Sequence, residues 1–337
     1  MRRLRGGAHR VVMLAAFGLL VAGCRSRREP PLSMRLAVQD NTICALAFIA
    51  EAEGYYEREG LDLSLLRYPS GKLALLGMFD GEADVAACAD MPIMSNSLRR
   101  DDFALFATIA STYRGAWIVA RTDRGIAAAE DLRGKRIGTQ QNSAVHFFLA
   151  AYLQRHGIPE DEVEIVFLQA VELAPALAAG RIDAFSMRNP FIADARQMLP
   201  DKTVELFGED LYRKTFNLAA RQEYLQNNAE ACRRLVRALA RAEALVTRNE
   251  AAALEACLRG MGADRKGELS ADWPHFNLGL SLDQSLLLTL EQQARWALRS
   301  RGGDARAIPN YTDYIETAIL EAVQPRAVTL IRAEDAP

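Results

Sequence analysis

The chain has 337 residues, half of them apolar and a quarter charged, with 41 Lys and Arg against 43 Asp and Glu. That length and composition can bury a core large enough for one big domain or two lobes. The nearly even charge balance argues against nucleic acid as a partner.

The first residues stand apart from the rest. MRRLRGGAHR carries four arginines and no acid, and VVMLAAFGLLVAG is an uncharged run of thirteen that stops at Cys24. The run is too short to span a bilayer comfortably. A basic start, a short apolar stretch and small residues before a cleavage point make residues 1–23 a secretion signal. Val21-Ala22-Gly23-Cys24 also resembles the bacterial lipobox, so Cys24 is expected to be lipidated and to become the mature N-terminus; an ordinary secretion signal with a chance cysteine is the alternative. Residues 24–33, with Pro30-Pro31, then read as a tether. Cleavage removes the four arginines and leaves 37 basic against 43 acidic residues, a net charge of −6. Cys44, Cys88, Cys232 and Cys257 remain, in an export compartment that permits disulfides. Pairing 44 with 88 and 232 with 257 is one reading and buried free thiols the other.

From residue 34 onward the chain repeats itself. Shifted by 101, RLAVQDNT at 35–42 lies on RIGTQQNS at 136–143, matching Arg35 to Arg136, Gln39 to Gln140, Asn41 to Asn142 and Thr42 to Ser143. An apolar run of helical spacing follows each copy, and in the second Val145, Phe148, Leu149, Tyr152 and Leu153 form a buried stripe before the stop at Gly157 and Pro159. At a shift of 99, residues 75–90 lie over 174–189, matching Gly81 to Gly180 and Asp84 to Asp183. Each half therefore orders strand, polar turn, helix, strand, helix, strand, the alternation that builds parallel sheets. Two such units imply two lobes facing across a cleft, with ligand beyond the carboxyl ends of the strands, where QDNT and QQNS sit. A helix start offers unpaired N–H groups and partial positive charge. The polar cluster in each turn reads as ligand contact, with plain helix capping as the alternative.

Four stretches carry a family resemblance: AEAEGYYEREGLDLSLLRYPSGKLALLGMFDGEADVA, DLRGKRIGTQQNSAVHFFLAAYLQRHGI, LAPALAAGRIDAFSMRNPFIADA and IPNYTDYIETAILEAVQP. Over residues 34–330 the pattern resembles the substrate-binding proteins of ABC importers for nitrate, bicarbonate, sulfonates and taurine, a group that also takes in pyrimidine-precursor binders. The resemblance implies an α/β type II periplasmic-binding-protein fold, its two lobes built on mainly parallel sheets and joined by a two-crossing hinge. Lobe I would take residues 34–115 and 216–337, and lobe II residues 116–215. It further implies an extracytoplasmic monomer at the periplasm or cell surface, lipid-anchored through Cys24 and delivering a small anionic solute to an ABC permease with its ATPase. No cofactor or metal is expected.

Family position and local chemistry together nominate the solute contacts. The first lobe would supply Gln39, Asp40, Asn41 and Thr42, then Ser70, Gly71 and Asp90. Tyr113, Arg114 and Trp117 would come from the crossing, and Gln140, Asn142, Ser143, His146, Arg188 and Asn189 from the second lobe. Relatives commonly place an aromatic and an acid before Pro190, where this chain has Arg188 and Asn189. An arginine can grip a sulfonate, carboxylate or phosphate through two parallel N–H bonds; a salt bridge to Asp90 or Asp194 is the alternative. Motifs such as HExxH, GxSxG, GxGxxG and CxxC are absent, which disfavours an enzyme. A pyrimidine-precursor binder or enzyme of the same fold and a solute sensor acting on a membrane receptor stand as alternatives.

Overall fold

Leu36, Ala37 and Val38 are consecutive and wholly buried, which requires cover on both faces of their strand and is the mark of a parallel sheet wrapped by helices. The computed structural model describes residues 30–208, 210–300 and 308–331. The secretion signal and Cys24 lie outside them. Leu32 and Ser33, at the end of the expected tether, already pair with Leu61 and Asp62 in the sheet.

The first half begins with β1 (Leu32–Gln39), α1 (Ala45–Ala52), α2 (Tyr55–Arg58), β2 (Leu61–Tyr68), α3 (Gly71–Phe79) and β3 (Val85–Ala89). Helix α4 (Asp90–Ser97) and β4 (Phe103–Thr112), all ten residues of which are buried, complete this segment. Residues 113–116 lead into a second sheet. It contains β5 (Trp117–Arg121), β6 (Arg136–Thr139), α5 (Ala144–Arg155), β7 (Glu164–Phe167), α6 (Ala170–Ala178), β8 (Ala184–Met187), α7 (Phe191–Met198) and β9 (Thr203–Leu206). Residues 207–213 return the chain to β10 (Lys214–Arg221) in the first sheet. Helices α8 (Gln222–Asn227), α9 (Ala229–Arg248), α10 (Glu250–Met261) and α11 (Lys266–Asp272) follow, then β11 (Asn277–Asp283), α12 (Gln284–Ser300), α13 (Ala318–Glu321) and β12 (Val328–Thr329).

The first sheet has the order β12-β11-β4-β10-β3-β1-β2 and the second β7-β6-β8-β5-β9. Within each repeat the pairing is parallel, β2-β1-β3 in one and β7-β6-β8 in the other. Strands that carry the chain between sheets run against their neighbours: β5 is antiparallel to β8 and β9, and β10 to β3 and β4. Both sheets are thus mixed, since a chain that crosses over and comes back must enter from the opposite end.

The repeat is also written in side chains. Arg35 donates from its backbone N–H (2.7 Å) and Nη2 (2.7 Å) to Asp84 and from Nη1 to the Gly81 carbonyl (3.0 Å). Arg136 makes the equivalent contacts, from its backbone N–H (3.1 Å) and Nη2 (2.8 Å) to Asp183 and from Nη2 to the Gly180 carbonyl (2.8 Å). Gly81 and Gly180, both at positive φ, end α3 and α6 in the same way. The residue after each donates to the carbonyl five positions back, Glu82 to Gly77 and Arg181 to Ala176, as in a Schellman cap. Such half-exposed forks add little net stability; they peg the first strand of each unit to the turn before its third.

Helix α9 buries Leu235, Val236, Leu239 and Ala242 and turns arginines outward. Arg237 and Arg241 reach Glu59 at 2.8 and 2.6 Å, so these cations are spent on surface pairing. All four described cysteines are free and buried, and burial pushes the Cys232 and Cys257 thiols up to about 12. Among the described residues no helix is long and apolar enough to cross a membrane.

Candidate functional site

A cavity of about 250 Å³ opens where the carboxyl end of β1 and both chain crossings meet the end of β8. From the first half come Gln39, Asn41, Ile43 and Thr112; from the first crossing, Arg114 and Gly115, with Trp117 opening β5. The second sheet contributes Arg188, Asn189 and Glu205, and the returning chain Phe207 and Lys214. Ala271 and Asp272 at the end of α11, with His275 and Phe276 between α11 and β11, close the remaining side. The position follows the rule that open α/β sheets bind ligands beyond their strands' carboxyl ends.

Charge is unevenly compensated in this space. Among the described residues, Arg114, Arg188 and Lys214 form no ion pair with a carboxylate. Arg188 is exposed at the cavity, yet the surrounding protein partly desolvates it and lowers its pKa. Its one described side-chain contact is the Met187 sulfur at 3.9 Å, so the salt bridge to Asp90 or Asp194 does not form. Lys214 is lowered to about 8 by burial first and by Arg188 second, against the opposing pull of Asp90. Arg114 lies over the Phe207 ring at 5.0 Å, and Phe207 stacks on Trp117 with centroids 5.8 Å apart. Two buried polar atoms on this lining have no partner, Trp117 Nε1 and Asn41 Oδ1. An unpaired buried polar group costs about 1–3 kcal/mol.

Of the nominated residues, Gln39, Asn41, Arg114, Trp117, Arg188 and Asn189 line the cavity. The others sit elsewhere for identifiable reasons. Asp40 points to Arg67 and Arg265, each at 3.3 Å. Thr42 is buried, its hydroxyl unpartnered. Ser70 caps α3 by accepting from Leu73 N–H (3.3 Å), and Gly71 donates its N–H to Gln39 Oε1 (3.0 Å). A Cβ on Gly71 would meet the Phe216 ring at 2.8 Å, which explains the glycine there. Tyr113 is 45% exposed and is not among the residues lining the cavity.

The second repeat uses its polar turn for capping. Ser143 Oγ accepts from His146 N–H (3.4 Å) and donates to the Gln140 carbonyl (2.5 Å). Asn142, at φ 55, donates its backbone N–H to His146 Nδ1 (3.3 Å). The His146 ring packs edge-on against Phe167 and Trp296, and burial lowers its pKa to about 4, so it is a neutral core residue. Asp90 is fully buried, accepting from Tyr212, Thr215 and Gln293 rather than facing the cavity. Lys214, Glu205, Phe207, Asp272, His275 and Phe276 were not nominated. For Lys214 the signal was its place at the end of the return crossing, in YRKTF; the loop before β11 carries no local motif.

The fold is that of a periplasmic binding protein. The Escherichia coli periplasmic aliphatic sulphonate binding protein superposes with a TM-score of 0.71 at 17% identity, over 85% of this chain and 92% of that one. The desulfurization enzyme DSZB superposes with a TM-score of 0.57 at 17% identity, over 88% and 99%. A Bacillus subtilis (strain 168) relative, named for binding aliphatic sulfonates, is 24% identical over 219 residues, 62% of this chain and 65% of its own length. Residues 41–253 match the family described as NMT1/THI5 like, and the chain belongs to that family.

Proposed function

We propose that this protein is the extracytoplasmic solute-binding component of an ABC importer, capturing a small sulfonate-type anion and handing it to a membrane permease with its ATPase. The observation that carries the reading is the placement of Arg188, at the end of β8 in the second sheet, and Lys214, at the start of β10 in the first, on one cavity without a carboxylate partner for either. An anion between them contacts both halves, and a solute favours closure only through such differential contact. Micromolar affinity needs about 8 kcal/mol, and charge-assisted hydrogen bonds supply about 1.5–3 kcal/mol each. The relatives' names and folds support sulfonates as the class. Binding is favoured over catalysis because the described cysteines are buried with raised pKa values, far from the exposed thiolate that nucleophilic chemistry needs. In this reading a lipid on Cys24 keeps the protein beside its permease.

Calorimetry and thermal-shift screening of sulfonates, carboxylates, nitrate, bicarbonate and pyrimidines test the proposal. At least one sulfonate is expected to bind at micromolar affinity and raise the melting temperature. Stabilisation by a neutral pyrimidine alone, or by none of the anions, contradicts it.

The pH dependence has a defined sign. The Lys214 ammonium is disfavoured in the empty cavity, and a bound anion favours it, so binding takes up a proton once the pH exceeds the ligand-free pKa. Affinity is therefore level below about pH 8 and falls above it, by up to about tenfold per pH unit. Calorimetry between pH 6 and 9.5 reads this, and Lys214→Met is expected to remove the break.

A further inference from the structure

The anion-binding reading leaves the body of the solute open, and the cavity wall speaks to that. We propose that the natural solute is an aromatic anion: one ring bearing a sulfonate-type head group, the head on Arg188 and Lys214 and the ring against Trp117, Phe207 and Phe276. This rests on the reading above and narrows it.

Size is the first argument. A cavity of about 150 Å³ accommodates benzene, and this one measures about 250 Å³, room for a ring and its head group. Nitrate, bicarbonate or a one-carbon sulfonate would leave much of the space to water. Wall chemistry is the second. Three aromatic side chains share the cavity with Ile43 and Ala271, and Phe207 remains 39% exposed, an aromatic surface that a solute ring can cover. Ring pairs add about 0.5–1.5 kcal/mol beyond their buried area. The third is Trp117 itself, only 9% exposed, which lines the same space.

A matched series measured by calorimetry decides the matter: methanesulfonate, ethanesulfonate, butanesulfonate, benzenesulfonate and uncharged benzenesulfonamide. Benzenesulfonate is expected to bind at least tenfold more tightly than methanesulfonate and benzenesulfonamide. Phe207→Leu and Phe276→Leu, which keep an apolar side chain and so preserve folding, are expected to reduce the benzenesulfonate-to-methanesulfonate affinity ratio severalfold. Methanesulfonate binding as tightly as benzenesulfonate, or an unchanged ratio in both variants, overturns the aromatic assignment while leaving anion binding intact. Failure of every sulfonate to bind overturns both. Tight binding of benzenesulfonamide removes the head group's role and sinks the anionic half of the assignment.

Discussion

Replacing Arg188 with alanine lowers benzenesulfonate affinity by about tenfold to a hundredfold, and Arg188→Ala with Lys214→Met together lower it at least a hundredfold. Loss of one charge-assisted hydrogen bond costs about 1.5–3 kcal/mol, and about 1.4 kcal/mol is a factor of ten. The two losses need not add, because both cations address the same anion. The control lies in the ligand-free protein. Arg188 has no carboxylate partner among the described residues, and its charge lowers the Lys214 pKa, so its removal relieves repulsion. The ligand-free melting temperature of Arg188→Ala is therefore expected to be equal to or above wild type while affinity collapses. A parallel fall in both would make Arg188 a structural residue.

The second large effect falls on stability. Asp90 is wholly buried at the start of α4. It accepts from Tyr212 Oη (2.5 Å), Thr215 N–H (2.9 Å) and Gln293 Nε2 (3.1 Å). Burial raises its pKa, and these hydrogen bonds work against the rise. The network joins α4, the return crossing, the start of β10 and α12. Phe147 of α5 packs on Tyr212 and on Trp296 of α12, at 5.2 and 5.6 Å between ring centroids. Asp90 thereby helps to hold the second half against the hinge although it does not line the cavity. Asp90→Ala strands the Tyr212 hydroxyl and the Thr215 N–H, buried donors worth about 1–3 kcal/mol each, while Gln293 Nε2 keeps the Tyr212 hydroxyl as acceptor, and is expected to cost about 3–5 kcal/mol. Calorimetric melting is expected to fall by roughly 10 °C. Asp90→Asn keeps the shape and one acceptor oxygen and is expected to lose less. A melting temperature within about 2 °C of wild type for Asp90→Ala contradicts this assignment.

The repeat was legible because both copies answer the same backbone demands. Arg35 and Arg136, Asp84 and Asp183, and Gly81 and Gly180 recur where a strand start must be tied to a helix end, and such geometry tolerates few residue types. Arg188 was legible as a cation in a position that relatives fill otherwise. Matching letters did not mean matching roles, however. Asn41 faces the cavity, whereas its counterpart Asn142 adopts a left-handed conformation and supports the cap of α5. A polar side chain at a helix start serves cap or ligand equally well, and only tertiary placement separates the two. Phe276, Asp272 and His275 were invisible for a related reason. They reach the cavity only after the chain has crossed, returned and packed helices α8 to α11, so no local spacing marks them.

The claim that an anion is held jointly by the two halves is tested most directly by a crystal structure of the protein with benzenesulfonate, the sulfur located by its anomalous signal. The account predicts a sulfur peak in the cavity with head-group oxygens within hydrogen-bonding distance of both Arg188 and Lys214. A sulfur bound outside the cavity, or inside it with both cations turned to solvent, would contradict it.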